Sequence, residues 1–528
     1  MPLQPLATWK VPRKTSAAQV AQVANIPAPV GGLNYRDPIS MMAPTDALVL
    51  DNFIPTQTGV QLRKGWRYTT STISLPIKSI FAYSAPVPAN NKLFAAANGD
   101  IYDVTTSSPS VAQSTTGSAE DYWCTTMFAT PADMFLLAVS PGAGYWTYST
   151  TSGWVHRTPA GLPSNVKTVM VWKQRIWFTA EGDSNVYYLD SANAVTGTAV
   201  AFPMGSLLRN GGYVAGLINW TVDAGFNFDD RLVVVGTEGD IGVWEGYDPT
   251  SIDTFSLKGV WYVGPVPRYG RFFTPFGGDV MLVAETGLVP LSKLVAGQWA
   301  EGQLGPAQKI QTVLNPLITL LKNTPSWDVF IEPASSVLII NVPQQTIGYQ
   351  QFAMNVNTGS WCTFSGLPMS CTTILNGQLY FGTEDGRVAK GLFGNNDGVE
   401  TDGTGGDTIE GDLQTAFNAF GTPAQLKKIG MARPIFIAPE APTVKLQVNT
   451  QYTFSNVAGS PSFNGVAESK WNAAVWNTSR WIGAANTYQA WVGTTGLGYY
   501  AALRMKVRGK PGTIFTSSHM MTELGGVM

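Results

Sequence analysis

The sequence predicts an all-β protein: a six- or seven-bladed β-propeller plus a second β-domain built from both chain ends, with little helix. Three observations point there. The 528 residues are 44% hydrophobic and only 13% charged, with 55 Gly, 34 Pro, 17 Trp, 19 Tyr and 24 Phe, a balance of turn punctuation and flat aromatic packing typical of strands. Second, a short apolar strand runs into a Gly-containing turn and another β-rich strand at five places, starting at Leu93, Trp177, Leu232, Met281 and Leu379. The turn residues Gly99, Gly182, Gly239, Gly287 and Gly386 are 83, 57, 48 and 99 apart, and each large gap holds a further candidate unit, at Phe135 and at Val337. Third, a strand, a turn, Gly and then Trp recur at Trp154, Trp299 and Trp361.

Paired hairpins repeating every 40 to 57 residues have the period of a four-stranded propeller blade. A stacked solenoid repeats more uniformly, and a sandwich does not keep the hairpin pair. Radial closure also gives each blade a neighbour for its apolar face and leaves few open edges.

In chain order, residues 1–75 are extended and punctuated by Pro and Gly, too poor in periodic apolar faces to fold alone, and are expected to complete the C-terminal domain or a neighbouring subunit. A short helix is expected at Pro44 to Leu50, capped by Thr45 or Asp46. Residues 76–395 hold the blades. Within them 307–323 has Ile310, Val313, Leu314, Leu317, Leu320 and Leu321 at helical spacing around Pro316, read as a helix inserted on the propeller. The Gly- and Asp-rich stretch 396–407 reads as a linker, and 408–528 as the C-terminal β-domain.

Charge divides the same way. Residues 1–80 carry a formal +5, 81–420 carry −14 and 421–528 carry +7, beneath a net charge of −2. Acidic blade turns at Asp183, Asp229, Asp230, Glu238, Asp240, Glu384 and Asp385 are candidates for an acidic channel or solvent surface. Arg504, Lys506, Arg508 and Lys510 alternate with Met505, Val507 and Gly509, so all four project from one sheet face. They read either as a solvated face or as a docking surface for an acidic neighbour or phosphate.

Several chemistries find no foothold. Cys124, Cys362 and Cys371 form no CxxC pair, and His156 and His519 stand apart from any nucleophile motif. No Walker A, HExxH, GxGxxG or GxSxG sequence occurs. Asp397, Glu400, Asp402 and Asp407 cluster, but their spacing matches no calcium loop. Trp471, Trp476, Trp481 and Trp491 read as core or interface before ligand platform. No catalytic residue, cofactor or metal is expected. Apolar runs stop at strand length and the N-terminus has no h-region, so neither a membrane span nor Sec export is expected.

The segment Gly31 to Trp66 resembles the N-terminal signature of tail nozzle proteins of short-tailed bacteriophages, the tail tubular protein B or packaged-DNA-stabilisation type. The similar positions are Gly31, Gly32, Asn34, Arg36, Asp37, Asp46, Ala47, Leu50, Asp51, Asn52, Pro55, Gly59, Val60, Arg63, Lys64 and Gly65, with Asp402, Gly403, Ile409, Thr415, Gly421 and Lys427 further on. The resemblance implies a non-enzymatic virion protein, assembled in a host cytoplasm as a homo-oligomeric ring, expected to be a hexamer. Its partners would be a head-to-tail adaptor ring and tail fibre, spike or needle proteins, with phage DNA passing through transiently. Two rival classes stand beside it: a host-surface carbohydrate-binding or glycosidase-type propeller, and a monomeric protein-interaction propeller.

Overall fold

Seven antiparallel meanders follow one another between residues 79 and 390 of the computed structural model, which describes residues 21–115, 122–223, 228–251, 253–298, 305–344, 348–455, 457, 459–463 and 486–527. Blades 1 to 4 (79–114, 124–157, 166–203 and 214–262) are four-stranded sheets and blade 5 (273–290) has three strands. Blade 6 (327–364) is the inner part of a ten-stranded sheet. Blade 7 takes three strands from 371–390 and its outer one from Arg67–Tyr68, far earlier in the chain. The propeller thus consists of six separate sheets and one shared with the second domain.

The first strand of each blade faces that of the next, as Cys371–Leu375 faces Ser79–Tyr83 and Val166–Trp172 faces Val214–Asp223, so these strands surround the axis. Apolar side chains fill the wedges between blades. Phe81 and Phe94 of blade 1 pack with Leu136 of blade 2, and Trp172 and Trp177 of blade 3 with Leu217 and Val234 of blade 4. Ile80 and Leu93 meet Leu375 and Val388 where blade 7 closes on blade 1. Each wedge hides strand faces that a lone meander would leave in water, which is why the repeat must close.

The five turn glycines of the sequence repeat all have positive φ, and Gly144 (+78°) supplies the equivalent turn of blade 2. These hairpins link the second and third strands of their blades, so all lie at the end of the propeller where the first strands begin.

The second domain has two sheets. One continues from blade 6 through Asp46–Asp51, Glu410–Thr415, Ala501–Arg508 and Thr443–Thr450. The other centres on the long strands Gln425–Ala438 and Ile514–Val527, joined by Gln22–Pro27, Phe53–Pro55, Val60–Leu62, Asn486–Gln489 and Val492–Gly498. One apolar core, including Phe53, Leu413, Phe436, Met505 and Phe515, runs without a break into Trp327, Ile339 and Phe352 of blade 6.

The structure revises four sequence expectations. Pro44 to Leu50 is not helical: Asp46–Asp51 is a strand paired with Asp412 to Thr415, and Asp46 binds side chains instead of capping a helix. Gln311–Leu321 is a helix, but Leu314, Ile318 and Leu321 are buried in the main core beside the three-stranded blade 5, so it is a core element and not an appendage. Residues 67–68 belong to the propeller. Asn396–Asp397 pairs with Asp407–Thr408, making a small hairpin of the expected linker. Trp471, Trp476, Trp481 and Trp299 lie outside the described residues; Trp491 lies 4.9 Å beneath the Arg433 guanidinium.

Turn geometry yields a matched pair of variants. Gly182 has φ +73° with open space where a Cβ would stand, whereas a Cβ on Gly239 (φ +94°) would strike the Gly264 backbone. Gly182→Ala should cost about 1 kcal/mol and Gly239→Ala about 2–4 kcal/mol, read from urea unfolding midpoints.

Candidate functional site

Two places concentrate polar chemistry: the joint between the domains and the propeller axis.

The joint is built by the segment Gly31 to Trp66. Arg63, fully buried, uses all five of its N–H donors. Nε donates to Asn52 Oδ1 (2.7 Å), Nη1 to Lys64 O (2.9 Å) and Asp397 Oδ1 (2.8 Å), and Nη2 to Ser365 O (2.6 Å) and Asp397 Oδ2 (2.7 Å). Asn52, at φ +58°, suits Asn, whose short polar side chain tolerates the left-handed region. Its Nδ2 donates to Ser365 Oγ and Glu410 O, tying blade 6 to the second domain.

A second knot lies nearby. The buried Asp46 accepts Lys309 Nζ on one oxygen and Asn34 Nδ2 on the other, both at 2.7 Å, and Lys309 also donates to Gly31 O. Asn34 Oδ1 in turn accepts the backbone N–H groups of Arg36 and Asp37. The glycines here are close-approach residues: a Cβ on Gly32 would lie 2.7 Å from the Trp361 backbone. Lys427 is buried and caps the carbonyls of Thr422, Gln425 and Tyr499, with its pKa lowered by burial.

At the axis, a cavity of about 400 Å³ lies where the first strands begin. Four cations line it; blade-turn acids outside the lining approach Lys78, Lys167 and Arg268, and Asp328, in the first strand of blade 6, meets Arg271. Lys78 Nζ is 3.4 Å from Glu384, which also accepts the Tyr349 hydroxyl (2.9 Å). Lys167 is 3.9 Å from Glu181, which accepts Tyr269 OH (2.7 Å), and its ammonium sits 4.1 Å over the Tyr269 ring. Arg268 bonds Glu238 (2.7 Å). Arg271 Nη2 bonds Asp328 Oδ2 (2.9 Å), a carboxylate oxygen that also accepts the backbone N–H and hydroxyl of Thr372. Burial, then the Glu384 charge, pushes the Tyr349 phenol far above its ordinary value. Cys124 and Cys371 also line the cavity; burial raises both thiols, Cys371 to about 12, which keeps them protonated and unreactive.

The predicted acids therefore divide. Glu238 and Glu384 reach the axial end but are engaged by cations. Asp183 accepts the Tyr187 hydroxyl and the Asn185 N–H. Asp385 holds Arg387. Asp240 is only 3% exposed and bonds Asn210 twice, so it is no surface group. Asp230 pairs with Lys173 at the opposite end of the propeller, on the strand that also holds Asp229, whose side chain is outside the described residues.

The basic row is matched as well. Arg504 grips Asp412, Lys506 and Arg508 share Glu410 (2.9 and 2.6 Å), and Lys510 meets Glu440. The neighbouring strand Glu410–Thr415 supplies the counter-charges for Arg504, Lys506 and Arg508, and Glu440, outside it, that for Lys510. Among the described residues no group of three or more His, Cys, Asp or Glu is placed to hold a metal ion. His156 stacks on Trp146 and His519 contacts Arg433. The axial charges escaped sequence reasoning; for Lys78, Lys167 and Asp328 the signal was a charged residue at the start of an otherwise apolar first strand, whereas Arg268 and Arg271 lie ahead of blade 5 with no such signal.

No family model matches the chain, and no curated protein matches it. Solved structures that it resembles include the computationally designed Ika8 protein (11% identity, TM-score 0.36, covering 62% of this chain and 99% of that one). The WD40 β-propeller domain of Doa1 matches at 9% identity and TM-score 0.38, covering 62% and 96%. The β-propeller domain of Myceliophteria thermophila Cps50 (Swd1) matches at 14% and 0.40, covering 61% and 98%. Among the described residues no helix is long and apolar enough to cross a membrane.

Two measurements follow. Arg63→Lys cannot reproduce the five-donor fork, and Arg63→Met strands the Asp397 carboxylate; the second should cost about 3–5 kcal/mol and the first somewhat less, in thermal or urea unfolding. Lys506, then Arg508, hold the Glu410 carboxylate below its ordinary value of about 4.5. A lowered carboxylate contributes its stability above the unfolded value and loses it as pH falls through the folded one. The stability gap between wild type and Glu410→Gln should be about 0.5–1 kcal/mol at neutral pH and shrink below about pH 4.5.

Proposed function

We propose that the chain is a subunit of a ring-shaped tail nozzle of a short-tailed bacteriophage, a structural virion protein whose ring forms the DNA exit channel below portal and adaptor. The observation that carries this reading is the resemblance of Gly31 to Trp66, supported by what those residues do. Arg63, Asn52, Asn34 and Asp46 are the knots that fasten propeller to base, so a sequence pattern shared with nozzle proteins coincides with the contacts that define this two-part subunit.

In this reading the duplex does not run through the propeller. The axis is narrowed to a cavity of about 400 Å³ hemmed by ion pairs, far too small for double-stranded DNA. The channel is the hole enclosed by several subunits, and the acidic surplus of the propeller keeps phosphates from adhering to whichever face lines it. The adaptor ring above and the fibre, spike or needle proteins below dock on the two ends of the ring. The basic row, with its charges paired within the sheet, contributes little to that docking.

Light scattering and negative-stain microscopy test the assembly. A closed ring, six copies in this reading, is expected alone or with the adaptor, each contact burying more than about 2,000 Å² as obligate interfaces do. A chain that stays monomeric at micromolar concentration with and without the adaptor would refute it.

A further inference from the structure

We propose that the axial cavity is a binding site for a small organic oxyanion, a phosphate or carboxylate carried on a flat apolar body. The cavity is complete within one chain and does not depend on ring assembly.

The size is right: about 400 Å³ falls within the range of pockets that enclose small molecules. Its central group is Arg271. Protein surrounds this side chain on the axis, yet it is 51% accessible, because it opens onto the cavity and not onto packed atoms. All of its hydrogen bonds are made by Nη2, to Asp328 Oδ2, Thr372 O and Thr372 Oγ1. The Nε and Nη1 N–H groups have no acceptor among the described residues. A guanidinium fixed at one nitrogen with its other donors open is prepared for two parallel bonds to an oxyanion.

The surroundings agree. Lys78, Lys167 and Arg268 line the same cavity, whereas the single lining carboxylate, Asp328, is turned to Arg271. The acids that neutralise the other cations stand on the blade turns outside the lining, and the Lys78 contact, at 3.4 Å, is loose. Trp123 and the Tyr269 ring, over which the Lys167 ammonium sits, give flat walls for the body of the ligand.

Phenyl phosphate and benzoate are the probes, with phenol and inorganic phosphate as controls, measured by calorimetry and tryptophan fluorescence on the full-length protein. One or both aromatic anions should bind with dissociation constants below about 1 mM, at least about tenfold tighter than phenol, and the stronger of the two identifies the anionic group. Removing Arg271 alone would strand the buried Asp328, so the decisive variant is Arg271→Gln with Asp328→Asn, which neutralises both partners. It should weaken binding at least about tenfold, and Lys78→Gln, at the rim, about threefold. No binding of either probe up to about 10 mM, equal binding of phenol, or undiminished binding by the folded double variant would each overturn the proposal.

Discussion

One buried guanidinium holds the molecule's parts in register. Arg63 follows a strand of the second domain, and its five donors reach the turn at Asn52, its neighbour Lys64, the end of blade 6 at Ser365 and the hairpin at Asp397. A charge excluded from water is tolerable only when every donor is met and a carboxylate faces it. The surrounding backbone must therefore take one arrangement. The positive φ of Asn52, the close approach of Gly65 to Asn396 and the bond from Trp66 Nε1 to Gly366 O lie around that cation. Immediately beyond it the chain enters Arg67–Tyr68 and closes blade 7, so the same residue that joins the domains also aims the strand that seals the propeller.

The axial end rests on a related balance. Each repeat unit brings a left-handed glycine turn to the same end, and acids beside several of those glycines sit near the axis. Repulsion among them is relieved by cations at the starts of two first strands, Lys78 and Lys167, and by Arg268 in the loop that leads to blade 5. Lys78, Lys167 and Arg268 are matched to Glu384, Glu181 and Glu238; the first pair spans the closure of the ring, the second lies within blade 3 and the third joins blade 4 to the approach to blade 5. The turn chemistry that makes the fold thus also decides which charges meet at its centre.

Much of the fold could be read from the chain because it depends on local signals. The seven units, their turn glycines and the β-rich ends follow from apolar runs and Gly placement. What eluded the sequence depends on partners distant along it. The row Arg504 to Lys510 looks like a free cationic stripe until Glu410 and Asp412 are seen on the adjoining strand, beyond any spacing rule. Pro44 to Leu50 carries capping residues, but Ala47 and Leu50 gain more by facing the core in a strand, and Asp46 gains more from Lys309 than from a helix end. Asp240, at a turn that reads as exposed, is covered by the loop bearing Asn210. The axial cations are single residues whose convergence is a property of the closed ring.

The closure of blade 7 has a consequence for how the protein is made. A ribosome delivers Arg67–Tyr68 long before Val388–Lys390, its partner strand, has been translated. During that interval blade 1 lacks the apolar cover of Leu375 and Val388, and the N-terminal strands lack their C-terminal neighbours. The long sequence separation of these pairings makes the final ordering slow, and it leaves a nascent chain with uncovered edges of the kind that chaperones hold and that aggregate when crowded. Vectorial synthesis thus imposes a waiting period on this architecture, ended by the arrival of the last strands.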